Sequence, residues 1–131
     1  MRLSNKVIIV TGSTTGIGKA IATACVREGA RVVIHGLEKD WGEEAVAGLG
    51  NDKAILHIED ITMEGAAQRL VDLALKTFGR LDAVVNNAAA VVSSAVSYPS
   101  SPKPLQSVAD TMVANVGYRH VYGHSGVLYA L

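Results

Sequence analysis

Val7-Ile8-Ile9-Val10-Thr11-Gly12-Ser13-Thr14-Thr15-Gly16-Ile17-Gly18 reads as a buried strand that runs into a glycine-rich turn and directly on into a helix. Four consecutive apolar residues suit a strand covered on both faces. In the turn, Gly12 allows the tight bend, Gly16 lets the backbone come close to a diphosphate, and Gly18 lets the next helix lie against the strand. The start of that helix leaves N–H groups without helical partners, and its dipole adds partial positive charge, so the segment forms an anion site. Glycine turns of this kind also serve simply to reverse a chain. Here the strand in front, and a helix behind with Ile17, Ala20, Ile21 and Ala24 on one face and Gly29 as its stop, favour a bound nucleotide.

Outward from the turn, strands and helices alternate. Arg31-Val32-Val33-Ile34-His35 forms a second strand just after Gly29, giving a compact unit whose two strands pair in parallel. Asp40 followed by Glu43 predicts a helix N-cap with a returning carboxylate. Trp41, Ala45, Val46 and Leu49 then share a buried face, and Gly50-Asn51-Asp52 closes the helix. A third strand, Ala54-Ile55-Leu56-His57-Ile58, leads into Glu59-Asp60-Ile61-Thr62. Ala67, Leu70, Val71, Ala74, Leu75 and Phe78 keep the three-four spacing of an amphipathic helix that Gly79 stops, and Leu81-Asp82-Ala83-Val84-Val85 is a fourth strand. The alternation predicts an α/β fold, a doubly wound parallel sheet with strands in the order 3-2-1-4, truncated after about four strands. In that arrangement the fourth strand is an apolar edge, to be covered by the chain's own tail or by a second copy through self-association.

The remaining third of the chain reads differently. Serines and all three prolines, Pro99, Pro102 and Pro104, mark a loop from Ser93 to Ser107. Val108 to Asn115 suits a short helix, and Gly117 to Leu131 has no clear period. Residues 1–117 are therefore expected to form an incomplete nucleotide-binding domain, with 118–131 a divergent tail.

Composition narrows the function classes. The chain has 131 residues, enough for one domain, and 49% of them are hydrophobic. Lys plus Arg and Asp plus Glu stand at 12 each, so no broad basic surface invites a nucleic acid or an acidic membrane. No apolar run is long enough to cross a bilayer, and the first residues lack a secretory signal, which makes a cytoplasmic location the expectation. With one cysteine there is no internal disulfide; Cys25, inside the first helix, reads as a small buried thiol rather than a nucleophile. No metal site is expected.

Several segments, in order, carry a family resemblance. Thr11 to Gly18 matches the cofactor loop of the short-chain dehydrogenase/reductase family, Asp60-Ile61 its acidic position after the third strand, and Asn86-Asn87-Ala88-Ala89 is similar to its Asn-Asn-Ala-Gly segment. Asn115, in Val113-Ala114-Asn115-Val116-Gly117, resembles the asparagine that precedes the catalytic residues of the family. The resemblance implies a Rossmann-like fold and an oxidoreductase moving hydride between NAD(P)(H) and an alcohol or carbonyl. It assigns the dinucleotide to Thr11, Gly12, Ser13, Thr14, Thr15, Gly16, Ile17, Gly18, Asp60, Ile61, Asn87 and Ala88, and a catalytic part to Asn115. Asp60 would accept from the adenine amino group, with the backbone at Ile61 beside the ring; read on its own, Asp60 suits a helix cap or a solvated carboxylate. Asn86 and Asn87 would line the cofactor cleft, their other reading being an ordinary strand-ending turn. Ala89 stands where the family usually has glycine.

Cofactor choice turns on the end of the second strand. Relatives that prefer NAD usually place there an acidic residue that bonds the ribose hydroxyls; this position is Gly36. The basic residues that often pair with the extra phosphate of NADP are replaced by Leu37 and Thr15, while Lys39 can reach a phosphate. The balance leans slightly to NADP and leaves NAD open. His35 reads as a strand-end residue rather than a cofactor contact.

The family's chemistry also needs a tyrosine with a lysine four residues later and a serine upstream, so that the lysine lowers the phenol's pKa for proton exchange with the substrate oxygen. None of Tyr98, Tyr118, Tyr122 and Tyr129 has that lysine. The chain therefore resembles the cofactor-binding half of such an enzyme; the alternative is a catalytically inactive dinucleotide-binding module or a truncated interaction protein.

Overall fold

The computed structural model describes residues 1–88 and the strand 127–130. In chain order the elements are β1 (Val7–Val10), α1 (Gly16–Arg27), β2 (Arg31–Gly36), α2 (Lys39–Leu49), β3 (Ala54–Ile58), α3 (Ala66–Phe78), β4 (Ala83–Asn86) and β5 (Val127–Ala130). The strands form one sheet in the order β3-β2-β1-β4-β5. The first four pair in parallel, with Ile8 beside Val32 and Ala83, so the Rossmann-like order expected from the sequence is present. β5 runs antiparallel to β4, Val84 facing Tyr129. Of the two expected covers for the β4 edge, the chain's own tail is therefore the one in place.

Strand alternation divides the core between the two faces of the sheet. Val7 and Ile9 of β1, with Val33 and Val84, pack on α3 through Leu70, Val71 and Ala74. Ile8 and Val10, with Val32, Ile34 and Val85, face α1 and α2 through Ala22 and Ala45. Helices on both sides explain why these strands are nearly all apolar.

Three local expectations are corrected. On α1 the buried positions are Gly18 and Ala22, with Ile21, Cys25 and Val26 packed beside them. Ile17 is 62% exposed, and Ala20 and Ala24 also face outward. A Cβ on Gly18 would land on the Gly12 carbonyl and the Asn87 amide, so backbone contact at the glycine, rather than the bulk of Ile17, fixes the helix's rotation. On α2 the N-cap is Glu38, without a side-chain capping bond, and Asp40 lies inside the first turn. Trp41 is 53% exposed, and Gly42 and Ala45 face the sheet in its place. A side chain at Gly42 would press on Leu56 and Ile58 of β3, so here too the smallest residue brings helix and strand together. On α3 Leu75 is 46% exposed, and Leu73 packs against the core.

Candidate functional site

The glycine-rich turn leaves β1 at the carboxyl ends of the parallel strands. That is the side of an α/β sheet on which ligands sit, beside the point where the chain reverses its winding direction between β1 and β4. Gly12 and Gly16 both adopt left-handed backbone, at φ of 64° and 59°. A Cβ on Gly12 would lie 3.0 Å from Ala88 Cα, whereas nothing lies within 4 Å of one on Gly16. The first glycine is thus filled by protein and the second faces open space. α1 begins at Gly16 after an extended Thr15 that makes no side-chain capping bond, and its first turn carries no acidic residue. A helix N-terminus in that state keeps its amides and its partial positive charge for an outside acceptor.

Hydrogen bonds from the next strand ends hold the turn. Thr11 Oγ1 is buried; it donates to Val85 O at 3.3 Å and accepts the backbone N–H groups of Asn87 and Ala88, each at 3.0 Å. Asn87 Nδ2 donates to Gly12 O at 3.0 Å. Ser13 Oγ donates to Val10 O at 2.6 Å and accepts from His35 N, while Ser13 N donates to His35 O at 2.7 Å. Thr14 is buried with its side chain above Gly36, so that a Cβ on Gly36 would meet Thr14 Cγ2 at 2.5 Å.

His35 is the penultimate residue of β2, 2% exposed, in keeping with its reading as a strand-end residue. Its Nδ1 accepts from Gly12 N at 3.1 Å, and its Nε2 sits 2.7 Å from Glu59 O. A histidine closing the aliphatic run Val32-Val33-Ile34 is the signal the sequence offers for these ring contacts.

Asp60 and Ile61 lie just beyond β3. Ile61 is a core residue under α3. Asp60 Oδ1 accepts from Thr62 N at 2.9 Å and from Thr62 Oγ1 at 2.7 Å, and these bonds hold its carboxyl below the usual range. Asp60 is thus no helix cap, since α3 starts after Gly65; one of its oxygens closes a local turn with Thr62. Next to it, Glu59 takes a two-pronged bond from Arg69, 3.0 Å to Nε, and one of 2.9 Å from His57 Nε2. These partners, Arg69 first, hold the Glu59 carboxyl at about 2.

Of the expected site residues, Thr11 to Gly18, Asn87 and Ala88 therefore meet at one end of the sheet. His35 links that turn to the carbonyl of Glu59, the residue before Asp60, while Ile61 lies in the core under α3. Asn115 and Ala89 lie outside the described residues. Among the described residues no cluster of three or more His, Cys, Asp or Glu is arranged to hold a metal, and no helix is long and apolar enough to cross a membrane. Cys25 is half-buried in α1, and burial pushes its thiol up.

Comparison with known proteins agrees with this geometry. The family model described as short chain dehydrogenase matches residues 6–120. An NADP-dependent (R)-specific alcohol dehydrogenase of Lentilactobacillus kefiri is 45% identical over 96 residues, covering 72% of this chain and 38% of that protein. An uncharacterized oxidoreductase of Staphylococcus aureus is 38% identical over 94 residues, covering 72% of this chain and 41% of its own length. Among solved structures, a Caenorhabditis elegans short-chain dehydrogenase/reductase of unknown function, crystallised with cofactor, superposes with a TM-score of 0.65 at 35% identity, over 69% of this chain and 35% of that one. A short chain dehydrogenase from Bacillus anthracis gives 0.62 at 36% identity, over 66% and 36%. The chain thus spans less than half the length of the relatives it matches. With the match to residues 6–120 and the shared sheet order, this chain belongs to the short chain dehydrogenase family.

Proposed function

We propose that this chain carries the dinucleotide-binding half of an oxidoreductase that transfers hydride between NAD(P)(H) and a small alcohol or carbonyl. One observation carries the reading: the uncapped start of α1 and the open space over Gly16 form a cradle of backbone amides next to the sheet's reversal point. The residues present fit the group. In this reading Thr14 to Gly18 receive the diphosphate on a turn that Gly12 and Ser13 shape through their amide bonds to His35. Asp60 uses its second carboxylate oxygen for the adenine amino group with the backbone at Ile61 beside the ring, and Asn87 and Ala88 line the floor. Thr11 acts from behind by fixing Asn87 and Ala88. The bound dinucleotide supplies the hydride; the chain's described residues bind and orient it. Asn115 keeps the catalytic part that the family resemblance gives it.

NADP is the favoured form. Gly36 offers no carboxylate to repel a 2′-phosphate, and the Thr14 side chain occupies the space that an acidic residue there would need. The similarity to an enzyme named as NADP-dependent points the same way. Lys39, paired loosely with Glu43 at 3.8 Å and largely exposed, is free to turn toward a phosphate.

Calorimetric titration with NADP and NAD, followed by a panel of carbonyl substrates with NADPH, tests the reading. Binding with turnover supports the oxidoreductase. Binding without turnover supports a dinucleotide-binding module, in keeping with the absence of a tyrosine followed four places on by lysine. Saturation at about a hundredfold over Kd would raise apparent stability by about 2.7 kcal/mol. No binding of either dinucleotide would overturn the proposal.

A further inference from the structure

The groups around His35 dictate its protonation state. The Gly12 amide can only donate, so Nδ1 must be bare; the Glu59 carbonyl can only accept, so Nε2 must carry the proton. Both contacts are therefore satisfied by one species, the neutral imidazole with its hydrogen on Nε2. Its backbone is tied as well, through N–H to Ser13 Oγ at 3.0 Å and C=O from Ser13 N at 2.7 Å. One side chain thus joins the first residue of the glycine-rich turn to the residue before Asp60.

We propose that His35 is a positioning residue for the cofactor cleft: its uncharged imidazole, held between the Gly12 amide and the Glu59 carbonyl, keeps the diphosphate end and the adenine end in register, so that protonating it weakens dinucleotide binding. The proposal rests on the dinucleotide reading above. A second proton on Nδ1 would turn one N–H toward another across 3.1 Å and release Gly12. Gly12 in turn sets the path of the turn toward Gly16.

Among the described residues, the titratable groups acting on His35 come from β3 and its exit. His57 is the register partner of His35, and Glu59 and Asp60 follow it, Glu59 itself being engaged by Arg69. Burial holds His35 below the ordinary histidine value; a charged His57 acts in the same sense, and the Glu59 carbonyl and the two carboxylates act against it. The neutral form therefore prevails near neutrality and is lost only as the solution becomes acid.

Calorimetric titration of the intact chain with NADP between about pH 4.5 and 8, on wild type and His35→Asn, tests this. Asparagine's Oδ1 can still accept from Gly12 but does not titrate. The ratio of the two dissociation constants cancels ionisation of the ligand. The expected result is a wild-type constant that rises roughly five- to tenfold relative to the variant as the imidazole protonates. In parallel, 15N shifts of the wild-type imidazole should report the Nε2–H form at neutral pH, an observation that does not depend on the variant folding. A ratio independent of pH, or an imidazole protonated on Nδ1, with NADP still bound, overturns this proposal alone. Where wild type binds NAD but not NADP, the same pair of titrations is run with NAD; failure to bind either dinucleotide at any pH overturns the dinucleotide reading and this proposal with it.

Discussion

Two glycines separated by one residue in the turn have opposite neighbourhoods. Gly18 is enclosed by the Gly12 carbonyl and the Asn87 amide, while the space over Gly16 is open. Gly18→Ala should therefore disrupt the turn itself, with a loss of stability of roughly 1–3 kcal/mol as an overpacked contact, read from denaturant unfolding. Gly16→Ala should cost only about 1–2 kcal/mol for left-handed backbone, yet abolish NADP binding by filling the cradle. Equal binding by wild type and Gly16→Ala would contradict the role given to that space. The glycine pattern was legible in the sequence because each position needs a missing side chain for a physical reason. His35 was less legible, since its two ring contacts are to backbone groups of segments 23 and 24 residues away. Nothing in local spacing announces such contacts.

At the scale of elements, the sequence placed β1, β3 and the stop at Gly79 where the structure has them, because runs of branched apolar residues and a left-handed glycine leave few alternatives. Helix rotation was harder to read. Counting large apolar residues favoured Ile17 and Trp41, whereas α1 and α2 turn Gly18 and Gly42 toward the sheet. Close approach of a helix to a strand rewards the absence of a side chain, a signal that a hydrophobic pattern records as a blank. Not every helical glycine has this role. Gly48, exposed on α2 with nothing within 4 Å, has ordinary helical backbone. Gly48→Ala should stabilise the chain by about 0.5–1 kcal/mol, measured as a higher denaturant midpoint with an unchanged slope; a destabilised variant would contradict the placement of that face in solvent.

Across the whole molecule, charge anchors the start of β1 to the start of β4. Asp82 accepts from Val7 N at 2.8 Å and from Arg80 Nε at 2.8 Å, with Lys6 at 3.7 Å, and the Arg80 guanidinium first among these holds its carboxyl at about 2. A carboxyl whose folded value lies below its unfolded one, near 3.9, contributes stability that is complete above the unfolded value. That contribution is lost as pH falls through the folded one. Glu59, also at about 2, acts in the same window. Stability should therefore drop between about pH 4 and pH 2, and Asp82→Asn should make the wild-type drop shallower while lowering stability at neutral pH. An acid profile identical in the two proteins would show that Asp82 does not bear the linkage. The pairing of β4 with β5 was open in the sequence, because an apolar edge accepts any strand and the tail carried no periodicity.

In the proposed function the amides opening α1 hold the diphosphate of a nicotinamide dinucleotide. Backbone 1H–15N spectra of the intact chain, recorded while NADP is added, address those amides one by one. Saturable shifts are expected to be greatest from Thr14 to Gly18, with smaller ones at Gly12, Ser13, Asp60, Ile61, Asn87 and Ala88. Saturable binding that moves other amides and leaves Gly16, Ile17 and Gly18 unmoved would contradict it.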